Sequence, residues 1–117
     1  MPRMCLYSYL AVENELAGEY TKYNNNDGYV NESECIECRV AQAFSHFSFE
    51  KSRRQEIVVD IQGSGCTYTD PQLHSVDEAY GRADRGEHGF ARFFKTHKCN
   101  FLCKELGLPE HQGKVFV

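Results

Sequence analysis

The sequence predicts an α+β fold in which helices pack on a small antiparallel sheet, and three observations predict it. Ile36, Val40, Phe44 and Phe47 recur at spacings of four, four and three, the period of one helix face. The β-branched run Ile57, Val58, Val59 reads as a buried strand. Phe90, Phe93, Phe94 and His97, then Leu102, Cys103 and Leu106, return to helical spacing, with Gly107 and Pro109 as a stop.

Taken in order, Leu6 to Leu10 are mostly apolar or aromatic and suggest a strand that leaves the fold into a polar connection, Glu13 to Glu19. Lys22 to Gly28 is dense in residues that tolerate turn conformations and is expected to be an ordered loop. Asn31 with Glu34 has the form of a helix start, so a helix is expected over 34–46. Phe47 to Glu50, a charged turn at Lys51 to Gln55 and Ile57 to Val59 then read as a hairpin, its second strand buried on both faces and ending at Asp60. Residues 61–89, glycine-bearing and with little periodicity, read as loop, and a loop of that length in a compact domain is usually functional.

At 117 residues the chain fits one domain, and folding at this size buries roughly 65% of the surface that the unfolded chain exposes. With 41% hydrophobic and 26% charged residues the composition is that of an ordinary globular protein. A formal charge of −4 and no long Lys/Arg run argue against nucleic acid as a partner. The most apolar stretches, such as Ile57 to Ile61, fall far short of the roughly 20 residues of a spanning helix, and the start Met1, Pro2, Arg3, Met4 has no apolar core. These features predict a cytoplasmic protein without a membrane partner. Six cysteines need an explanation, and without a signal peptide metal ligation is preferred to a disulfide framework. Cys5, Cys35, Cys38 and Cys66 have no histidine at ligand spacing and are read as small buried apolar side chains, with a redox or disulfide set as the remoter alternative.

Three groups carry candidate chemistry. In the first, a helix would place Cys99 and Cys103 on one face while His97 approaches from the preceding turn, which supplies three of four tetrahedral ligands; His46, at the end of a predicted helix, is the candidate fourth. Four protein ligands leave no open position, so a zinc ion held there would be structural. Two buried cysteines and a helix-capping histidine fit the same spacing.

The second group is Asp60 and Gln62, with Asp70 ten residues after Asp60. An acid that ends a buried strand lies at the rim of a sheet, where ligands bind. Two carboxylates and an amide oxygen are hard ligands suited to magnesium against phosphate oxygens. A turn-rich surface loop whose aspartates cap the backbone fits equally well. The third is Gly81, Arg82, Ala83, Asp84, Arg85, Gly86, a glycine-bearing loop before a helix, which reads as a connector in preference to a phosphate or peptide loop.

These pieces, in this order, resemble the alpha-kinase family of atypical serine/threonine protein kinases. The matching strings are GEYTKYNNNDGYV at Gly18 to Val30, QAFSHFSFE at Gln42 to Glu50, VVDIQGSG and YTDPQLHS between Val58 and Ser75, and FFKTHKCNFLCKELGLP at Phe93 to Pro109. The chain looks most like the branch with the elongation-factor-2 and myosin heavy chain kinases. The resemblance implies the interlobe connection and C-lobe of such a domain, across residues 1–117, without the β-rich N-lobe and its nucleotide-gripping lysine. It assigns His46, His97, Cys99 and Cys103 to a structural zinc. It makes Asp60 the catalytic aspartate, paired with Lys22, and gives Gln62 and Asp70 to the magnesium that bridges the ATP phosphates. The residue matching Asp70 can itself carry phosphate in some members. Glu13 and the backbone near Leu16 would contact adenine. Two departures stand out, Ala83 at the central glycine of the family's loop and Arg85 where a hydrophobic residue is usual.

The function implied is phosphoryl transfer from Mg-ATP to a protein hydroxyl, weakened in the isolated chain by the missing lobe. The alternative is a non-catalytic, zinc-stabilised, pseudokinase-like module that binds the missing N-lobe or another chain.

Overall fold

A computed structural model describes residues 20–64 and 67–111. The expected strand at Leu6 to Leu10, the connection with Glu13 and Leu16, and the cysteines Cys5 and Cys66 lie outside the described residues.

The first described strand, β1 (Tyr20–Lys22), leads into the asparagine-rich turn, which closes with a bridge between Asn24 and Val30. Asn25 organises that turn, its Oδ1 accepting from the backbone N–H of Asp27 and of Tyr29, each at 2.8 Å. The long helix α1 (Ile36–Lys51) follows, then β2 (Glu56–Val59), β3 (Gln62–Ser64), β4 (Thr67–Tyr68) and β5 (Gln72–Ser75). Two further helices, α2 (Glu87–Thr96) and α3 (Phe101–Glu105), complete the described chain. None of its helices is long and apolar enough to cross a membrane.

The strands form two antiparallel sheets. One has the order β1-β3-β4, with Lys22 opposite Gln62; the other pairs β2 with β5, with Val59 opposite Gln72. The sheets are joined at Asp60 and Ile61, and Asp60 makes the bend with φ of 61°. That left-handed conformation is uncommon outside glycine and most accessible to Asp and Asn.

Each junction between elements carries its own core. Phe49 from α1, Ile57 and Val59 from β2, and Phe90, Phe93 and Phe94 from α2 form one cluster. Tyr23, Cys38, Ala41, Ile61 and Tyr68 form the second, with Phe44 and Val58 packed against it.

Several elements differ from the sequence reading. The helix α1 begins after Cys35 rather than at 34, while the Asn31 side chain accepts from Ser33 N–H in the preceding turn. It continues to Lys51 and absorbs Phe47 to Glu50, which were expected to be a strand. The reason is tertiary: Cys38, Ala41, Gln42, Ser45, His46 and Phe49 form one buried helical face, and a strand would take Phe49 out of the core. Ile57 to Val59 therefore pair with β5 in place of Phe47 to Glu50, and only Ile57 and Val59 are fully buried. Residues 61–89 are not one loop, since they contain β3, β4 and β5; strands of two to four residues are too short to show a period. Cys99 precedes α3 instead of sharing its face with Cys103, because Asn100 is the N-cap, its side chain accepting from Leu102 and Cys103 N–H. Cys35 is exposed, not buried.

Candidate functional site

One end of the molecule gathers side chains from three helices. His46 projects from α1 and is 0% exposed; Cys103 lies on α3, also at 0%; His97 caps the C-terminus of α2, and Cys99 sits on the short link between the two. Cys99 Sγ is 3.5 Å from His46 Nδ1 and 3.7 Å from His97 Nε2, and Cys103 Sγ is 3.7 Å from that same Nε2. All four donor atoms lie within 4.8 Å of one another.

Ligands on a tetrahedral zinc at about 2.0–2.3 Å stand roughly 3.3–3.8 Å apart, so these three separations fit that ion. At the second nitrogens the fit is uneven, since ligation through His97 Nε2 puts the ring proton on Nδ1, and the Gln42 amide would then have to turn its oxygen toward it. Gln42 Nε2 meets His97 Nδ1 at 2.8 Å, and His46 Nε2, buried and without a hydrogen-bond partner, faces Glu50 Oε2 at 4.0 Å. Such outer contacts orient a ligating ring. Glu50 is itself held by His111 Nε2 at 2.6 Å. His46, Glu50 and His111 form a second possible grouping, but the first has the sulfur donors that zinc prefers.

The electrostatics suit a closed site. Burial, followed by the neighbouring imidazoles, lowers His97 to about 3, and burial lowers His46 to about 4, so both rings are neutral at neutral pH, as ligation requires. Burial raises the Cys99 thiol to about 12. Binding of an ion there must therefore release a proton.

The second group converges where β1 pairs with β3. The Lys22 ammonium donates to Asp60 Oδ1 at 2.5 Å and to Gln62 Oε1 at 3.0 Å. The Gln62 amide nitrogen donates to the carbonyls of Asp60 and Asp70, at 3.2 and 3.3 Å. Lys22, Asp60, Gln62 and the Asp70 backbone are thus one cluster, half-buried except at exposed Asp70. Antiparallel register explains it: Lys22 and Gln62 are directly opposed, and the bend at Asp60 turns its carboxylate back toward the ammonium. This arrangement can hold cations and phosphate oxygens at a sheet rim.

A buried relay that sequence reading missed links the two groups. Asn24 Oδ1 accepts from Ile61 N–H at 2.8 Å, and Asn24 Nδ2 donates to Gln42 Oε1 at 2.8 Å and to Ser45 Oγ at 3.2 Å. Gln42 then meets His97. The asparagine run shows only turn propensity in the sequence, so nothing there marks Asn24 as buried.

The loop Gly81 to Gly86 behaves as a connector around an internal anchor. Asp84 Oδ1 accepts from Ser75 N–H at 2.8 Å and Gly86 N–H at 3.0 Å, while Oδ2 accepts from Ser75 Oγ at 2.5 Å and Tyr80 N–H at 3.2 Å. Arg85 and Arg92 both pair with Asp27 at 3.0 Å, which ties the asparagine-rich turn to α2.

Fold and sites together define a small α+β protein with antiparallel sheets and a possible His/Cys metal site, and comparison with known proteins gives the family. Residues 3–103 match the Alpha-kinase family. This chain belongs to that family. It is 52% identical over 107 residues to Alpha-protein kinase 1 of Dictyostelium discoideum, a match covering 91% of this chain and 8% of that protein. It is 46% identical over 98 residues to human Eukaryotic elongation factor 2 kinase, covering 83% and 13% respectively. Among solved structures, the alpha-kinase domain of Myosin Heavy Chain Kinase A in complex with ADP superposes with a TM-score of 0.75 at 44% identity, over 82% of this chain and 38% of that one. The same domain has been solved with AMP-PNP, at 83% and 36%. The chain thus spans only part of the kinase domains it matches.

Proposed function

We propose that this chain is the interlobe connection and C-lobe of an alpha-type serine/threonine protein kinase, which transfers the terminal phosphoryl group of ATP to a protein hydroxyl. The observation that carries this reading is the Lys22 ammonium held between the Asp60 carboxylate and the Gln62 amide.

Asp60 orients the acceptor hydroxyl and takes up its proton as the new O–P bond forms and the β–γ bridge breaks. Lys22 fixes the Asp60 carboxylate and offsets negative charge on the transferred group. Gln62 and Asp70 would hold a magnesium ion, which when bound neutralises phosphate charge. The protein therefore acts by positioning and electrostatics, as this reaction requires. Glu13 and the backbone near Leu16 would contact adenine. His46, His97, Cys99 and Cys103 would hold a structural zinc with no position left for substrate.

The test is incorporation of labelled phosphate from Mg-ATP into a protein substrate, with the chain compared against Asp60→Asn and Asp70→Asn. Loss of about 10² to 10³ in rate in both variants is expected from removal of a positioned group. Equal incorporation by all three overturns the assignment of these residues. Absence of transfer by every version supports the second reading, a non-catalytic zinc-stabilised module.

A further inference from the structure

Outside the residues of both sites, one more pair of reactive side chains is in contact among the described residues. Cys35 and Cys38 occur as Cys-Ile-Glu-Cys, and Cys35 is the N-cap of the 16-residue helix α1. Their Sγ atoms are 2.8 Å apart, and both are free thiols. A sulfur–sulfur bond is about 2.03–2.05 Å long, so less than about 1 Å of side-chain movement would close one.

The two thiols differ in the way a nucleophile differs from a resolving group. Cys35 is exposed, whereas Cys38 is 3% exposed and sits in the core with Tyr23, Ala41, Ile61 and Tyr68. Cys35 also opens onto a cleft of about 320 Å³ lined by Tyr23, Asn31, Ser33 and Glu37, a space that admits a small reagent. The backbone N–H of Cys38, in the first turn of α1, also favours negative charge at Cys35. The hydrogen bond from Cys38 lowers the Cys35 thiol, and burial raises Cys38 to about 11; Glu37 opposes ionisation of both.

We propose that Cys35 and Cys38 are a reversible dithiol–disulfide site that reacts by exchange with a low-molecular-weight disulfide of the glutathione class. The Cys35 thiolate attacks one sulfur of the reagent, whose disulfide breaks to leave a mixed disulfide on Cys35 and one free thiol. The Cys38 thiol gives its proton to the solvent and attacks Cys35 Sγ, which expels the second reagent thiolate to take up a proton. Two protein thiols are oxidised and one reagent disulfide is reduced to two thiols, so electrons and protons balance. The step uses none of the residues of the Lys22–Asp60 group or of the His46–Cys103 cluster.

The experiment uses the full chain loaded with Zn²⁺, equilibrated in glutathione buffers from fully reduced to fully oxidised. The samples are quenched in acid, alkylated and read by peptide mass spectrometry. In oxidised buffer the peptide holding both residues is expected to lose two hydrogens and resist alkylation, and in reduced buffer to regain both. Cys38→Ser should trap glutathione on Cys35, and in the reduced chain Cys35 should alkylate roughly ten times faster than Cys38. The proposal fails if the pair stays as thiols in fully oxidised buffer, if Cys35 bonds to another cysteine instead, or if folded Cys38→Ser leaves Cys35 unmodified. Should the serine variant not fold, the wild-type peptide alone decides.

Discussion

Single residues set the local geometry here, and Asp84 shows how. Burial opposes its ionisation, but hydrogen bonds from Ser75, Gly86 and Tyr80 outweigh burial and hold the carboxyl below its ordinary value. Because the folded state binds the proton less tightly than the unfolded chain, its stabilisation is complete above the ordinary carboxylate value and is lost as pH falls through the folded one. Asp84→Asn is expected to lower stability by about 2–3 kcal/mol at neutral pH. It should also flatten the acid limb of the stability curve, as measured by urea unfolding between pH 3 and 7. The sequence offers no sign of this role, since an aspartate flanked by arginines in a glycine loop looks like a solvated charge. His97, Cys99 and Cys103 were legible because their spacing is local. His46 required the supposition of a chain reversal; the reversal exists, although it comes after a helix that runs five residues past the expected end.

At the scale of elements, the register of α2 against β5 depends on a glycine. A Cβ on Gly89 would lie 2.2 Å from the His74 ring, which is fully buried, accepts from Arg85 N–H at 2.9 Å through Nδ1 and meets the Asn26 carbonyl through Nε2 at 3.3 Å. Gly89→Ala should cost about 1–3 kcal/mol as that ring is displaced. The expected signature is a lower urea midpoint with an unchanged m-value. Such a dependence cannot be read from sequence, where a glycine in the first turn of a helix signals only reduced propensity. The same limit explains the strand at 47–50 that proved helical. Apolar residues at Phe47 and Phe49 satisfy a period of two, and only the contact of Phe49 with Phe90 and Phe94, at 5.0 Å between ring centroids, selects the helix. Periodicity was legible in α2; in α1 it marked a helix but not its buried face, since Ile36 is exposed and Val40, Phe44 and Phe47 are only half-buried, and two-residue and three-residue strands were not legible.

Across the whole molecule, His46, His97, Cys99 and Cys103 join three helices at one point. An ion held there adds its binding free energy to the folded state alone. Treatment with a strong chelator is expected to release about one zinc per chain and to lower the thermal midpoint by on the order of 10 °C or more. Atomic emission and calorimetry on the same sample measure the two. A chain that carries no zinc, or that melts unchanged without it, would remove the metal from the account.

The bend at Asp60 has a consequence for how this family member can be dissected. One residue is at once the seam between two sheets and the bearer of the charge that meets Lys22. Alanine there removes the carboxylate and also imposes a backbone penalty, so a dead alanine variant conflates chemistry with architecture. Asparagine tolerates the left-handed turn, and glycine tolerates it better, so the two together separate what the carboxylate does from what the corner does.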